Sequence, residues 1–320
     1  MVLRMNHRSP SPKPDLPGPI LPKWIMQGAA AQDIDNACFS SGSALALLHV
    51  ALHDPDLAVP ADLLRSRLTL RAAMNCCKIE GRSRTEAELR DACLLTVPGD
   101  AMGPDGDMLA FWRAGIRVRL GNRDWQTRIT TLVPENLHEI IGEALDLSVS
   151  GAGGPVAKSY GVLTRILAVA PRHEAVALLC ADAVLSHALG WSRPMPLLAL
   201  HLKRSDMRQI AAGEDARIAV HLAAAHAAQD IVRLSYDLAR RAGHLKAVAT
   251  KLRSKGSDDA IRLFLTEDAV LPSVMLSPKI HGSDTSMTGR SARRLCDRLV
   301  ELGAVRELTG RKMFRLYGVA

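Results

Sequence analysis

Residues 213–254, GEDARIAVHLAAAHAAQDIVRLSYDLARRAGHLKAVATKLRS, read as one long helical pattern without a proline. Ile218, Leu222, Ala225, Val232 and Tyr236 make one apolar stripe. Ile231, Leu234, Leu238, Leu245 and Val248 make a second. A surface helix needs only one stripe, whereas two require neighbours on both sides. The pattern therefore predicts a central helix inside a multi-helix body, with Gly243 as a point where it can bend. Aromatic residues are only 3% of the chain against 48% hydrophobic residues. Core volume must come from Leu, Ala, Val and Ile, which suits close helix packing better than a β-sandwich.

The rest of the body repeats the helical period. Helices are expected over residues 35–54, over 61–81 with Leu64, Leu68, Ala72 and Cys76 along one stripe, and within 82–96 with Ser83 or Thr85 as N-cap. GDAMGPDGD reads as a loop. MLAFWRAGI and NRDWQTRITTLV read as short helices. PENLHEIIGEALDL places Leu137, Ile140, Ile141 and Leu145 inward, and two more apolar helices follow in VAKSYGVLTRILAVA and RHEAVALLCADAVLSHALGW. The period-2 alternation of a half-buried strand is missing from residues 30–250, so no sheet is expected there.

Six prolines fall in the first 22 residues, which predicts a disordered arm over 1–22. The arm has neither the apolar core nor the cleavage site of a secretory signal, and the chain has no run of 18 apolar residues. The expectation is a cytoplasmic protein with no membrane contact. SKGSDD reads as a linker, separating a helical body over 23–254 from a small C-terminal unit over 255–320.

That unit holds most of the positive charge. Residues 288–320 carry eight Lys or Arg against three Asp or Glu, in a chain of net charge +8. TGRSARRLCDRLVELG predicts a helix capped by Thr288 and stopped by Gly303, with Ala292, Leu295, Leu299 and Leu302 on one face. AVRELTGRKMFRLYGV predicts strands at Val305–Leu308 and Met313–Tyr317, joined by a turn in which Gly310 takes positive φ. A helix followed by a basic hairpin is the second half of a winged helix-turn-helix. The fold class expected is thus mainly α, a multi-helix body with a small C-terminal winged helix-turn-helix. An arginine-bearing helix fits a major groove, and a basic wing reaches phosphates beside it. The candidate DNA-binding residues are Arg290, Arg293, Arg294, Arg298, Arg311, Lys312 and Arg315. Arg293 and Arg294 are adjacent and point about 100° apart. One is expected at a base edge and the other at a phosphate. The function expected is a DNA-associated regulatory or maintenance protein on double-stranded DNA. The alternative is a non-catalytic helical scaffold whose winged helix packs against the body, a second copy or another protein.

Other patterns fall short of chemistry. GAGGPVAKS lacks the glycine before Lys158 that a phosphate loop needs. His49 and His53 share a helix face but have no further ligand at metal spacing, and His173-Glu174 lacks the second histidine of a zinc protease, since position 177 is Ala. Cys38, Cys76, Cys77, Cys93, Cys180 and Cys296 form no CxxC pair and read as small buried hydrophobes. No catalytic motif, cofactor or metal is expected.

LTLRAAMNCCKIEGRSRTEAELRDACLLT, PLLALHLKRSDMR, LFLTEDAVLPSVMLSP and ARRLCDRLVELGAVRELTGRKMFRLYG together resemble the bacterial domain-of-unknown-function family numbered 1403 over most of the chain. That likeness implies no activity. The tail also resembles the winged helix of Fic-family proteins at Leu299, Glu301, Leu302, Gly303, Glu307, Thr309, Gly310, Arg311, Arg315 and Tyr317. Glu80-Gly81 is similar to the Fic inhibitory helix, but the usual Ser or Thr four residues earlier is Cys76, and the catalytic histidine loop is missing. The resemblance implies a shared tail and no nucleotidyl transfer.

Overall fold

The computed structural model describes residues 18–26, 33–97, 99–252 and 256–320. Most of the proline-rich arm, residues 1–17, and part of the expected linker, 253–255, lie outside the described residues. After one short turn, α1 (Lys23–Met26), helix α2 (Ile34–His53) starts at Asp33, whose carboxylate accepts the N–H groups of Asp35 and Asn36. Helix α3 (Ala61–Ile79) buries the expected stripe of Leu64, Leu68, Ala72 and Cys76. It ends where Gly81 takes φ +88° and Arg82 N–H reaches back to the Cys77 carbonyl. Thr85 and Glu88 then form a reciprocal capping box that starts α4 (Glu86–Leu94).

Helix α5 (Gly103–Gly115) begins earlier than the sequence pattern suggests and takes in half of the expected GDAMGPDGD loop. Pro104 explains the shift, since its fixed φ suits a first helical turn. Then come α6 (Trp125–Thr130), α7 (His138–Ser150), α8 (Pro155–Val169) and α9 (Glu174–Ala188). Residues 175–186 of α9 are buried on every side. Two short helices, α10 (Leu198–His201) and α11 (Arg204–Ala211), lead to the central α12 (Arg217–Ala249).

Helix α12 spans 33 residues and lies along α2 on one side, while α3, α8 and α10 meet its other faces. Ala223, Ala224, Ala225, Ala227 and Ala228 are buried, and their small side chains let the neighbouring backbones approach. Helices α3, α4 and α5 pack together, as do α7, α8 and α9. Burial of each large apolar side chain in these layers stabilises the fold by about 1.5–3 kcal/mol. No strand occurs among the described residues of 30–250, as the missing alternation predicts.

The C-terminal segment runs through α13 (Ser257–Phe264), a π-turn at Pro272–Leu276, α14 (Gly289–Glu301), β1 (Val305–Glu307) and β2 (Tyr317–Val319). The strands are antiparallel, with Val305 opposite Val319 and Glu307 opposite Tyr317. Tyr317 also exchanges both backbone hydrogen bonds with Val270, at 2.7 and 3.0 Å. The second strand thus starts at Tyr317, where the sequence pattern ends it. Leu308 N–H meets the Leu316 carbonyl at 2.8 Å, and this leaves Met313–Arg315 outside the ladder. Phe314, at φ +54°, breaks the extended run. A single buried cluster extends from Leu21 to Val319 and joins this segment to the body.

Candidate nucleic-acid interface

Helix α14 carries the clearest division of faces in the C-terminal segment. Ala292, Leu295, Cys296 and Leu299 are buried against the π-turn and β1. Thr288 Oγ1 accepts the Ser291 N–H at 3.3 Å at its start. At its end Gly303 takes φ +66°, with Gly303 N–H on the Val300 carbonyl and Ala304 N–H on the Leu299 carbonyl. That paired pattern closes the helix in the way the glycine predicts. The opposite face is left to solvent.

All seven residues singled out from the sequence are exposed. They divide by partner. Arg298 pairs with Glu301 at 2.9 Å, Arg315 lies 3.7 Å from Glu307, and Arg311 pairs with Asp91 of α4. Hydrogen bonding to the Tyr317 hydroxyl, then the Glu307 charge, hold the Arg315 pKa above the usual arginine range. Arg293 donates Nε–H to the Gly289 carbonyl at 3.2 Å. Among the described residues Arg290, Arg293, Arg294 and Lys312 form no ion pair. Arg290 and Arg294 stand one turn apart on α14. Lys312, Met313 and Phe314 are exposed at the tip of the loop between β1 and β2, the two apolar residues at 69% and 59%. Gly310 takes φ +62°, the conformation expected of it.

The hairpin leans on the body through groups that local sequence pattern did not reveal. Asp268, 2% exposed, is met by Arg67 of α3 at 2.9 Å and Arg90 of α4 at 2.5 Å. Its backbone N–H donates to Ser66 Oγ at 3.1 Å, and Arg67 Nη2–H donates to the Val319 carbonyl at 3.1 Å. Burial lowers the Arg67 pKa against the opposing pull of Asp268, with Arg241, Arg90 and Arg306 adding repulsion. For Arg90 burial acts downward as well, but the hydrogen bond and charge of Asp268 prevail and raise it. Gly318 completes the joint, because a Cβ there would meet the Asp268 carbonyl oxygen at 2.8 Å.

The near-miss motifs are accounted for structurally. GAGGPVAKS joins α7 to α8, and Lys158 Nζ donates to the Val149 carbonyl at 3.0 Å, holding the end of α7. His49 and His53 stack at 4.2 Å, with Trp191 Nε1–H donating to His49 Nδ1 at 3.2 Å. Glu80 is the C-cap of α3 and pairs with Arg82. No group of three or more metal-ligating side chains at metal-binding geometry occurs among the described residues. No helix among them is long and apolar enough to cross a membrane. Cys76, Cys77, Cys180 and Cys296 are buried as expected, Cys93 is half-buried, and Cys38 departs from the expectation by being exposed.

Comparison with known proteins gives no match among curated proteins. One family model aligns from the proline-rich arm to the last strand. The chain belongs to the family described as Protein of unknown function (DUF1403), whose model matches residues 12–319.

Proposed function

We propose that this protein is a DNA-associated regulatory or maintenance factor, non-enzymatic and cytoplasmic, that binds double-stranded DNA through α14 and the β1–β2 loop. One observation carries the reading. Arg290, Arg293 and Arg294 lie exposed and, among the described residues, without a carboxylate partner, on a helix whose Ala292, Leu295, Cys296 and Leu299 are buried. Unpaired guanidinium groups on a rigid helix suit base edges and phosphates of a major groove. The element order supports a winged helix-turn-helix: α13, the Val270 bridge, the π-turn, α14 and the hairpin follow one another. Lys312 at the loop tip adds charge where a wing approaches the sugar-phosphate backbone.

A second reading has its own observation. Arg311 and the Asp268 joint hold the hairpin against α3 and α4, which suits a helical scaffold whose C-terminal unit organises protein contacts. Duplex DNA binding titrated with salt separates the two. The DNA reading expects log affinity to fall linearly with log salt, and Arg290→Ala with Arg294→Ala to weaken it. Absence of duplex binding at low salt by a folded protein would leave the scaffold reading.

A further inference from the structure

Cys38 and Ser41 lie three residues apart on α2 and face His221 of α12. Cys38 Sγ is 3.4 Å from His221 Nε2, and Ser41 Oγ is 2.7 Å from Nδ1 of the same ring. Ser41 Oγ also sits 3.0 Å from the Cys38 carbonyl oxygen. A serine hydroxyl has one proton to give. Given to the Cys38 carbonyl, a common back-bond for helical serine, it leaves Oγ to accept Nδ1–H. Nε2 is then a bare lone pair aimed at the Cys38 thiol. Burial first, and the Arg217 charge one turn earlier on α12 second, hold the His221 pKa below the usual imidazole value. The ring is therefore neutral at pH 7 and able to take a proton.

We propose that Cys38 is a thiol-modification site, with His221 as its base and small disulfides as its reaction partners. The His221 Nε2 lone pair takes the thiol proton, and the thiolate attacks one sulfur of the disulfide. The new protein–sulfur bond forms as the old S–S bond breaks. The departing thiolate recovers the proton from the His221 imidazolium, so the products are a mixed disulfide and one free thiol. Ser41 acts as a positioning residue that fixes the ring's tautomer.

The surroundings select this chemistry over acyl transfer. An acyl intermediate needs N–H donors aimed at its oxyanion. Cys38 lies inside α2, where backbone N–H groups are already committed to the helix, as Ala37 N–H is to the Asp33 carbonyl. Disulfide exchange needs only a thiolate and access. The other five cysteines are all less accessible than Cys38. Burial pushes the Cys180 thiol up to about 12, and burial with the Asp297 charge pushes Cys296 to about 12. Burial also raises Cys76 and Cys77, and Cys93 is half-buried under Arg113, whose Nη1–H reaches its sulfur at 3.2 Å.

The test uses the full reduced chain and an aromatic disulfide, dithiobis(nitrobenzoate). Release of the coloured thiol is followed with time, and intact mass counts adducts. The expected result is one fast adduct, absent in Cys38→Ser, formed about tenfold faster at pH 7 than on an unstructured cysteine peptide. His221→Asn returns the rate to that of the peptide. In the unsubstituted protein the rate declines below pH 6.5 with an added imidazole limb that the peptide lacks, a readout independent of whether His221→Asn folds. A rate equal to the peptide's without that limb would sink the proposal, as would a first adduct on Cys93.

Discussion

Arg311, in the loop between β1 and β2, forms an ion pair with Asp91 of α4, 220 residues earlier in the chain. The pair is half in solvent on the arginine side, at 49% exposure. Such pairs contribute less than about 1 kcal/mol, because water screens them and two side chains must be held still. A phosphate can therefore displace Asp91 at little cost. Asp91→Ala should leave thermal stability nearly unchanged. It should also tighten duplex binding and steepen the plot of log affinity against log salt by about 0.9. Fluorescence anisotropy at several salt concentrations measures both. Unchanged binding would mean that Arg311 does not meet DNA.

The other cations should separate by position. Lys312→Ala removes one charge at the loop tip. It should weaken all duplexes about equally and flatten the salt slope by about one unit. Arg290→Ala and Arg294→Ala act on the outer face of α14. Each should cost about 1–3 kcal/mol at a preferred site and less at unrelated sequences. Competition binding with a selected site against random duplex gives the ratio. Equal losses on both DNAs would assign α14 to phosphates alone.

Asp268 is the point where the tail is fixed to the body. Removing it leaves Arg67, whose side chain is 13% exposed, without its counter-charge, while Arg90, 12% exposed, keeps Glu86 at 3.0 Å. Breaking a buried ionic group by removing one partner costs about 3–5 kcal/mol. Asp268→Ala should destabilise by that amount in chemical denaturation. A Gly318→Ala variant should also destabilise, through the close approach to the Asp268 carbonyl. A loss below about 1 kcal/mol for Asp268→Ala would show that water reaches the two guanidinium groups.

The body was legible because its information is local. The second stripe of α12, the Thr85 and Thr288 caps and the Gly303 stop each act within a few residues, and each took the expected form, while the first stripe is buried at Ala225 and Val232 and half-buried at Ile218, Leu222 and Tyr236. Helices α10 and α11 were not, since α10 has four residues, hardly more than one turn, and α11 buries only Met207 and Ile210. The place of α10 depends instead on Asp182 and Asn75, which bond the backbone of Leu198, Ala199 and Leu202. The hairpin was half legible. Gly310 turned as expected, but the pairing of Tyr317 with Val270 is nonlocal and moved the strand. For the candidate site the exposed cations were visible in sequence. Arg298 and Glu301 pair at the local i,i+3 spacing of one helix, whereas Asp91, which takes up Arg311, carries no local sign of its role. Cys38 was misread because apolar neighbours on α2 mask one exposed position, and only the α2–α12 contact brings His221 to it.

Asp182, on α9, tests the interior electrostatically. It is fully buried and accepts the N–H groups of Leu198 at 2.8 Å and Ala199 at 3.2 Å, where α10 begins. Burial pushes its carboxyl up to about 7, against those backbone donors, which pull it down. An unfolded aspartate titrates near 3.9. With the folded value the higher one, the folded state holds the proton more tightly. Its contribution to stability is complete below about pH 4 and is lost as pH rises to about 7. Above that range the deficit is constant. Asp182→Asn cannot ionise, so the stability of the parent relative to the variant should fall between pH 4 and pH 7 and then level off. Thermal or denaturant unfolding of both proteins across pH 4–8 measures the difference, which cancels every group they share. A difference that stays flat from about pH 5 to pH 8 would mean that the N–H donors of α10 outweigh burial and that Asp182 is ionised throughout.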